Sequence, residues 1–247
     1  MIWKLVRRHR QRLDWLGLAV AIAVFGLWPE IDLWVSGWFH ESVRGWFQTD
    51  AHWTQALYRG TDGLAVAVSA CVLLTFAFAW CLPLRGAGRA HRKASFLLLA
   101  YLLGPVLLVN EGFKEYWGRA RPKQVEVFDG SKPFTSALQP ADHCQTNCSF
   151  VSGHASVGFA LTALAWISRR PNVWVAVGLI LGSAIGLSRI AMGGHFLSDI
   201  VFSGLVVWFS VRGAAWLFVR RRPACRLAIK SVRGLRTSRK QPLEASA

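Results

Sequence analysis

Three polar clusters interrupt an otherwise apolar chain, and each holds groups able to act on an anion. The first, at residues 114–122, reads KEYWGRARP. Lys114 and Arg121 stand seven residues apart, two helical turns, so a continuing helix aims both the same way. Pro122 biases Arg121 out of helical geometry, which places it as a cap on the end of that helix. The second cluster, at 150–156, reads FVSGHAS: Ser152 can cap a helix, and Gly153 lets backbone N–H groups approach a ligand. The third, at 188–199, reads SRIAMGGHFLSD. His195 and Asp199 are four apart in what reads as the first turn of a helix, so the carboxylate can hold the imidazole and free its other nitrogen.

Each cluster has a bland alternative: interfacial anchors for the cations, an ordinary cap for Ser152, a dipole charge for Asp199. An Asp entering an apolar span is costly, however, and asks for a partner. Taken together, Lys114, Arg121 and Arg189 as cations, donors at Ser152 and Gly153, and the histidines His154 and His195 form the set that phosphoryl transfer requires. No run of carboxylates marks a metal site, so metal-free chemistry without a cofactor is expected.

The elements that carry these groups read as membrane helices. The chain of 247 residues is 53% hydrophobic with 13 Trp. Stretches 63–84, 94–110 and 172–188 carry no charge, and each approaches the ~20 residues that cross ~30 Å of hydrocarbon. The basic start followed by an apolar run at 15–29 resembles a secretory leader, but the run continues past Trp34 and Trp38 without a small-residue cleavage site. It reads as a retained first helix. The expected fold is all-α and integral to a membrane, with six transmembrane helices near 15–35, 63–84, 94–116, 153–168, 172–189 and 196–218. Residues 1–220 form one domain, and 221–247 a basic, disordered tail. The aromatic segment 37–62 is expected to lie along the interface as one or two short helices.

A formal net charge of +16 raises nucleic acid as a partner. The cations instead sit in short patches: the N-terminus (Lys4 to Arg12), residues 85–93, Arg169 with Arg170, and the tail from Arg220. By the positive-inside rule these ends are cytoplasmic, leaving connections 37–62, 117–152 and 189–195 facing outward. All three polar clusters therefore fall on the outward, periplasmic face. The partners expected are the bilayer and a phosphorylated membrane lipid, not nucleic acid, with the chain a monomer in a bacterial inner membrane. Cys144 and Cys148 share an outward loop, where a disulfide, a zinc site with His143 or two free thiols are all open.

The combined pattern resembles the type 2 phosphatidic acid phosphatase family, which shares its site with the vanadium haloperoxidases. That family carries K-x6-R-P, P-S-G-H and S-R-x5-H-x3-D. This chain matches with Lys114, Arg121 and Pro122, then Ser152, Gly153 and His154, then Ser188, Arg189, His195 and Asp199. Val151 stands where the family has Pro. The resemblance implies that His195 attacks phosphorus to form a phosphohistidine, oriented by Asp199. His154 protonates the leaving alkoxide and later activates water, while Lys114, Arg121, Arg189, Ser152 and Gly153 hold the phosphate oxygens. It further implies a lipid substrate such as lipid A 1-phosphate or phosphatidylglycerol phosphate. The rival readings are transfer to a second lipid, hydrolysis of undecaprenyl pyrophosphate, haloperoxidase chemistry and a non-catalytic lipid carrier.

Overall fold

The computed structural model describes residues 2–81 and 87–218. The regular elements among those residues are all helices, with no strand. The basic tail expected at 221–247 lies outside the described residues.

Helix α1 (Ile2–Leu27) gives way at Pro29 to the short α2 (Glu30–Gly37), and the chain turns by 83° between them. Proline lacks an N–H and clashes with the preceding turn, so the single first helix expected at 15–35 breaks there. Helix α3 (His52–Cys81) starts eleven residues before the apolar stretch at 63. The hydropathy boundary marked where the helix enters hydrocarbon, whereas its polar first turns continue beyond. Its 30 residues span ~45 Å, more than the ~30 Å of a hydrocarbon core. The interfacial segment is correspondingly shorter, running only from α2 to residue 51.

Helix α4 (Ala87–Tyr101) continues through a π-helical stretch (Leu102–Phe113) into a final turn, α5 (Lys114–Tyr116). Pro105 lies inside the π-helical stretch, and the Asn110 side chain donates to its carbonyl at 2.8 Å. Helix α6 (Gly153–Ala160) tightens into a 3₁₀ segment (Leu161–Trp166), and α7 (Pro171–Ala191) and α8 (Leu197–Phe218) complete the bundle.

Among the described residues four helices are long and apolar enough to cross a membrane, or five if the bent α1–α2 pair is one span. The segment expected as a span at 153–168 is helical from Gly153 to Trp166, shorter than the ~20 residues that cross hydrocarbon, and its first part lies at the centre of the bundle. Gly153, Ala155, Ser156, Val157, Gly158 and Phe159 are all buried against neighbouring helices. Its closeness to α7 depends on small residues: a Cβ on Gly158 would lie 2.6 Å from the Gly182 nitrogen, the approach that lets helices associate in lipid. By contrast α3 is largely exposed, with Leu73, Leu74, Phe78 and Trp80 presenting an apolar surface suited to lipid.

One end of the bundle is closed by the connections 38–51, 117–152 and 192–196. Phe128 packs edge to face with His40 and with Trp46, whose own rings are tilted to each other, and the Trp46 ring lies against Gly193, where a Cβ would meet it at 2.5 Å. Gly193 has φ +64°, so this turn before His195 requires glycine on both conformational and steric grounds. Cys144 and Cys148 are joined as a disulfide, which resolves the three alternatives left by the sequence.

Candidate active site

The start of α6 is the centre of the site. Ser152 is its N-cap, with extended backbone, and its hydroxyl accepts from the Ala155 N–H at 3.4 Å. Gly153 follows with no room for a side chain: a Cβ would sit 2.6 Å from Asn110 Oδ1 and 3.4 Å from Lys114 Nζ. The π-helical stretch thus delivers Lys114 to the free N–H groups of α6. His154 projects from the same turn, with its ring 5.1 Å from Tyr58 and its Nε2 3.7 Å from Asp62 Oδ1, both on the extended start of α3.

Arg121 does not cap the helix that carries Lys114. That helix ends at Tyr116, Gly118 turns the chain at φ +67°, and Arg121 is extended (φ −79°, ψ 156°). Its guanidinium reaches the site across a loop, with Nη2 donating to the Asn147 carbonyl at 2.7 Å and to Asn147 Oδ1 at 2.9 Å. Arg189, near the end of α7, is 7% exposed and stacks over the Tyr58 ring at 4.5 Å. Its Nη1 approaches Met192 Sδ at 3.5 Å, while its buried Nε has no acceptor. Among the described residues none of Lys114, Arg121 and Arg189 forms an ion pair with a carboxylate. Arg189 is buried and Lys114 and Arg121 partly so; cations drawn out of water without a counter-ion carry a desolvation cost, so this cluster is built to receive an anion.

His195 precedes α8 and is 1% exposed. Its Nδ1 donates to the Ser149 carbonyl at 2.7 Å, whereas Asp199 Oδ2 lies 3.6 Å away. The backbone carbonyl, not the carboxylate, sets the tautomer that leaves Nε2 with its lone pair. Burial holds the imidazole down to about 4, against the pull of Asp199, so at neutral pH this nitrogen is unprotonated and nucleophilic.

Asp199 anchors a wider network. Its Oδ2 accepts from Ser149 Oγ at 2.5 Å and from the Phe196 N–H at 2.8 Å, and its Oδ1 from Arg119 Nη1 at 2.7 Å. Arg119 is fully buried and donates to Asp32 Oδ2 at 2.8 Å, Ser198 Oγ at 2.8 Å and the Thr135 carbonyl at 3.0 Å. Phe196 lies 4.3 Å from its guanidinium carbon, and Phe134 5.5 Å. Asp32, from α2, also accepts from the Ser198 N–H at 2.8 Å.

The eight residues expected at the site (Lys114, Arg121, Ser152, Gly153, His154, Arg189, His195 and Asp199) therefore all meet at one end of the bundle. Sequence reasoning missed Asp32, Tyr58, Asp62, Arg119 and Ser149. Asp32 did carry a signal, an acid within an apolar run, and Arg119 lies between two residues already chosen. Among the described residues no three His, Cys, Asp or Glu side chains converge in a way that could hold a metal ion.

Comparison with known proteins agrees with this geometry. The profile of the PAP2 superfamily matches residues 93–223. A lipid A 4'-phosphatase of Francisella tularensis subsp. novicida is 41% identical over 136 residues, 53% of this chain and 61% of that protein. A lipid A 4'-phosphatase of Rhizobium leguminosarum is 41% identical over 122 residues, 47% of this chain and 52% of its own length. The chain thus spans about half to three fifths of these relatives. Phosphatidylglycerophosphatase B of Escherichia coli is 25% identical over 244 residues, covering 82% of this chain and 88% of that protein. No solved structure matches the chain. With a multi-pass helical bundle, the three clusters gathered at its end and the profile running through all of them, the chain belongs to the PAP2 superfamily.

Proposed function

We propose that the protein is a lipid phosphatase that removes a phosphate monoester through a phosphohistidine. The observation that carries this reading is the set of three cations without carboxylate partners around the α6 N-terminus, beside a buried neutral histidine. Such a cavity neutralises a phosphate dianion, and fixed donors favour the charge that develops on its equatorial oxygens. Lys114, Arg121, Arg189, the Ser152 hydroxyl and the Gly153 N–H hold those oxygens, the Ser152 N–H being donated to the Asp199 carbonyl at 3.2 Å. His195 Nε2 forms the bond to phosphorus as the bond to the lipid oxygen breaks, and His154, which burial and the cations hold neutral in the empty site, takes up a proton once the phosphate charge offsets those cations and gives it to that oxygen. A water, deprotonated by His154, then attacks the phosphohistidine; inorganic phosphate leaves and His195 is restored.

Lipid A phosphate is the substrate we favour, because the two relatives at 41% identity are named as lipid A 4'-phosphatases. This moves the expected position from the 1-phosphate to the 4'-phosphate. Phosphatidylglycerol phosphate is the rival, through the more distant relative with the longer overlap. The site faces the periplasm of a bacterial inner membrane, with both termini cytoplasmic. This side is supported by the basic patches on the opposite connections and by a disulfide at the site end, which suits an oxidising compartment.

The test is phosphate release by detergent-purified protein from lipid A, its monophosphorylated forms and phosphatidylglycerol phosphate, beside His195→Ala. Release from lipid A that is lost in the variant supports the reading. Equal background from both proteins on every lipid refutes hydrolysis, and supplying acceptor lipids then tests phosphoryl transfer.

A further inference from the structure

We propose that the Cys144–Cys148 disulfide staples Asn147 against Arg121, making Asn147 a positioning residue and oxidation of this loop a condition for tight phosphate binding. The proposal rests on the phosphate-site reading above and adds to it a redox requirement and a residue outside the family motifs.

The loop is short, and what it holds is specific. The disulfide closes a ring from Cys144 to Cys148. Within it Asn147 adopts φ +52°, a left-handed conformation that non-glycine residues adopt at a cost and that Asn tolerates best. That conformation turns both its carbonyl and its Oδ1 toward one edge of the Arg121 guanidinium, at 2.7 and 2.9 Å from Nη2, with Nε 3.3 Å from the same carbonyl. The Nε–Nη2 edge of the fork is thus occupied by the loop, leaving Nη1 for the bound anion. On its far side the Asn147 N–H donates to Glu115 Oε1 at 3.2 Å, and the Cys148 N–H donates to the Lys114 carbonyl at 2.9 Å. The loop therefore ties Lys114 and Arg121, the two cations of the first cluster, to each other.

The nucleophile is anchored separately. Ser149, the next residue, donates its N–H to the Arg119 carbonyl at 3.0 Å and its hydroxyl to Asp199. Opening the ring at Cys144 frees Asn147 to leave the left-handed region while Ser149 stays in the buried network. The consequence falls on phosphate affinity through Arg121 and not on His195. An arginine whose fork is no longer fixed loses the pre-organisation that makes it a good oxyanion clamp.

The test is isothermal titration of the purified detergent-solubilised protein with orthovanadate, oxidised and after reduction by dithiothreitol that is then removed by desalting under nitrogen, because the free dithiol would itself reduce vanadate(V). Reduction gives two thiols by taking two electrons and two protons from dithiothreitol, which closes to its cyclic disulfide. Thiol titration reports how many thiols appear, and size-exclusion chromatography confirms that the fold persists. Reduction is expected to weaken vanadate binding about tenfold, the scale of one charge-assisted contact. Cys144→Ala/Cys148→Ala should bind as weakly as reduced wild type and be unchanged by the same reduction, and Asn147→Gly should weaken binding, whereas Asn147→Asp, which sets a carboxylate on the Arg121 guanidinium, should not restore it. In Arg121→Met, where the clamp is gone, reduction should bring no further loss. Unchanged or tighter binding by reduced wild type overturns the proposal, tighter binding meaning that the loop sequesters Arg121. Absence of any vanadate binding by the oxidised wild type refutes the phosphate-site reading, and the proposal with it.

Discussion

Replacing Arg119 by Met tests whether the buried network holds the catalytic end together. The substitution keeps an unbranched apolar stem beside Phe196 but removes donors to Asp32, Asp199, Ser198 and the Thr135 carbonyl. Both carboxylates are fully buried, so each loses its counter-ion where water does not reach. Removing one partner of a buried pair costs about 3–5 kcal/mol. At about 2–4 °C per kcal/mol for a chain of this size, the apparent Tm in detergent should fall by roughly 6–20 °C. Asp32→Asn in the Arg119→Met background removes one stranded charge and should recover part of the loss, a coupling that a double-mutant cycle reads directly. Arg44→Met is the control: Arg44 pairs with Glu41 at 3.5 Å on the surface and should shift stability by less than about 1 kcal/mol. If Arg119→Met melts with Arg44→Met, the network adds nothing and the argument fails.

Three further outcomes are expected. Gly153→Ala puts a methyl group into the space held by Asn110 Oδ1 and beside Lys114 Nζ, so KM should rise at least about tenfold; an unchanged KM would show that phosphate does not sit at the α6 start. His195 titrates near 4 when folded against 6.5 for an ordinary imidazole, so between those values the unfolded chain binds the extra proton and stability rises with pH. Chemical denaturation should show that slope in wild type and a shallower one in His195→Asn, which keeps a donor for the Ser149 carbonyl, the remainder coming from His154, which burial also lowers. Activity should persist in excess EDTA, and a loss restored by one divalent cation would mean that the mechanism requires a metal.

Much of the site was legible because charge is rare in a chain like this one. Lys114, Arg121, Arg189, His154, His195 and Asp199 are close to their motif partners in sequence, and local spacing reports such groups well. Arg119, Asp32 and Ser149 escaped because their partners lie far along the chain: Arg119 meets Asp199 across 80 residues and Asp32 across 87. Tyr58 and Asp62 were hidden for another reason. Hydropathy marks the lipid-facing stretch of a helix, and these two sit on turns of α3 that precede it. The burial of the 153–168 segment was not legible either, since periodicity does not tell a core helix from one that faces lipid.

The enclosed position of α6 and its 3₁₀ extension bears on how the chain enters the membrane during synthesis. Only 14 residues long from Gly153 to Trp166, with His154, Ser156 and Thr162 within it, this segment gains little from meeting lipid alone. Its glycine-lined contacts are with α7, which follows after the short link at Ser168–Arg170. The two segments should therefore leave the translocon together as a helical hairpin, the longer partner carrying the shorter. The site would then be assembled only after synthesis of α8, when Asp199 first meets Arg119.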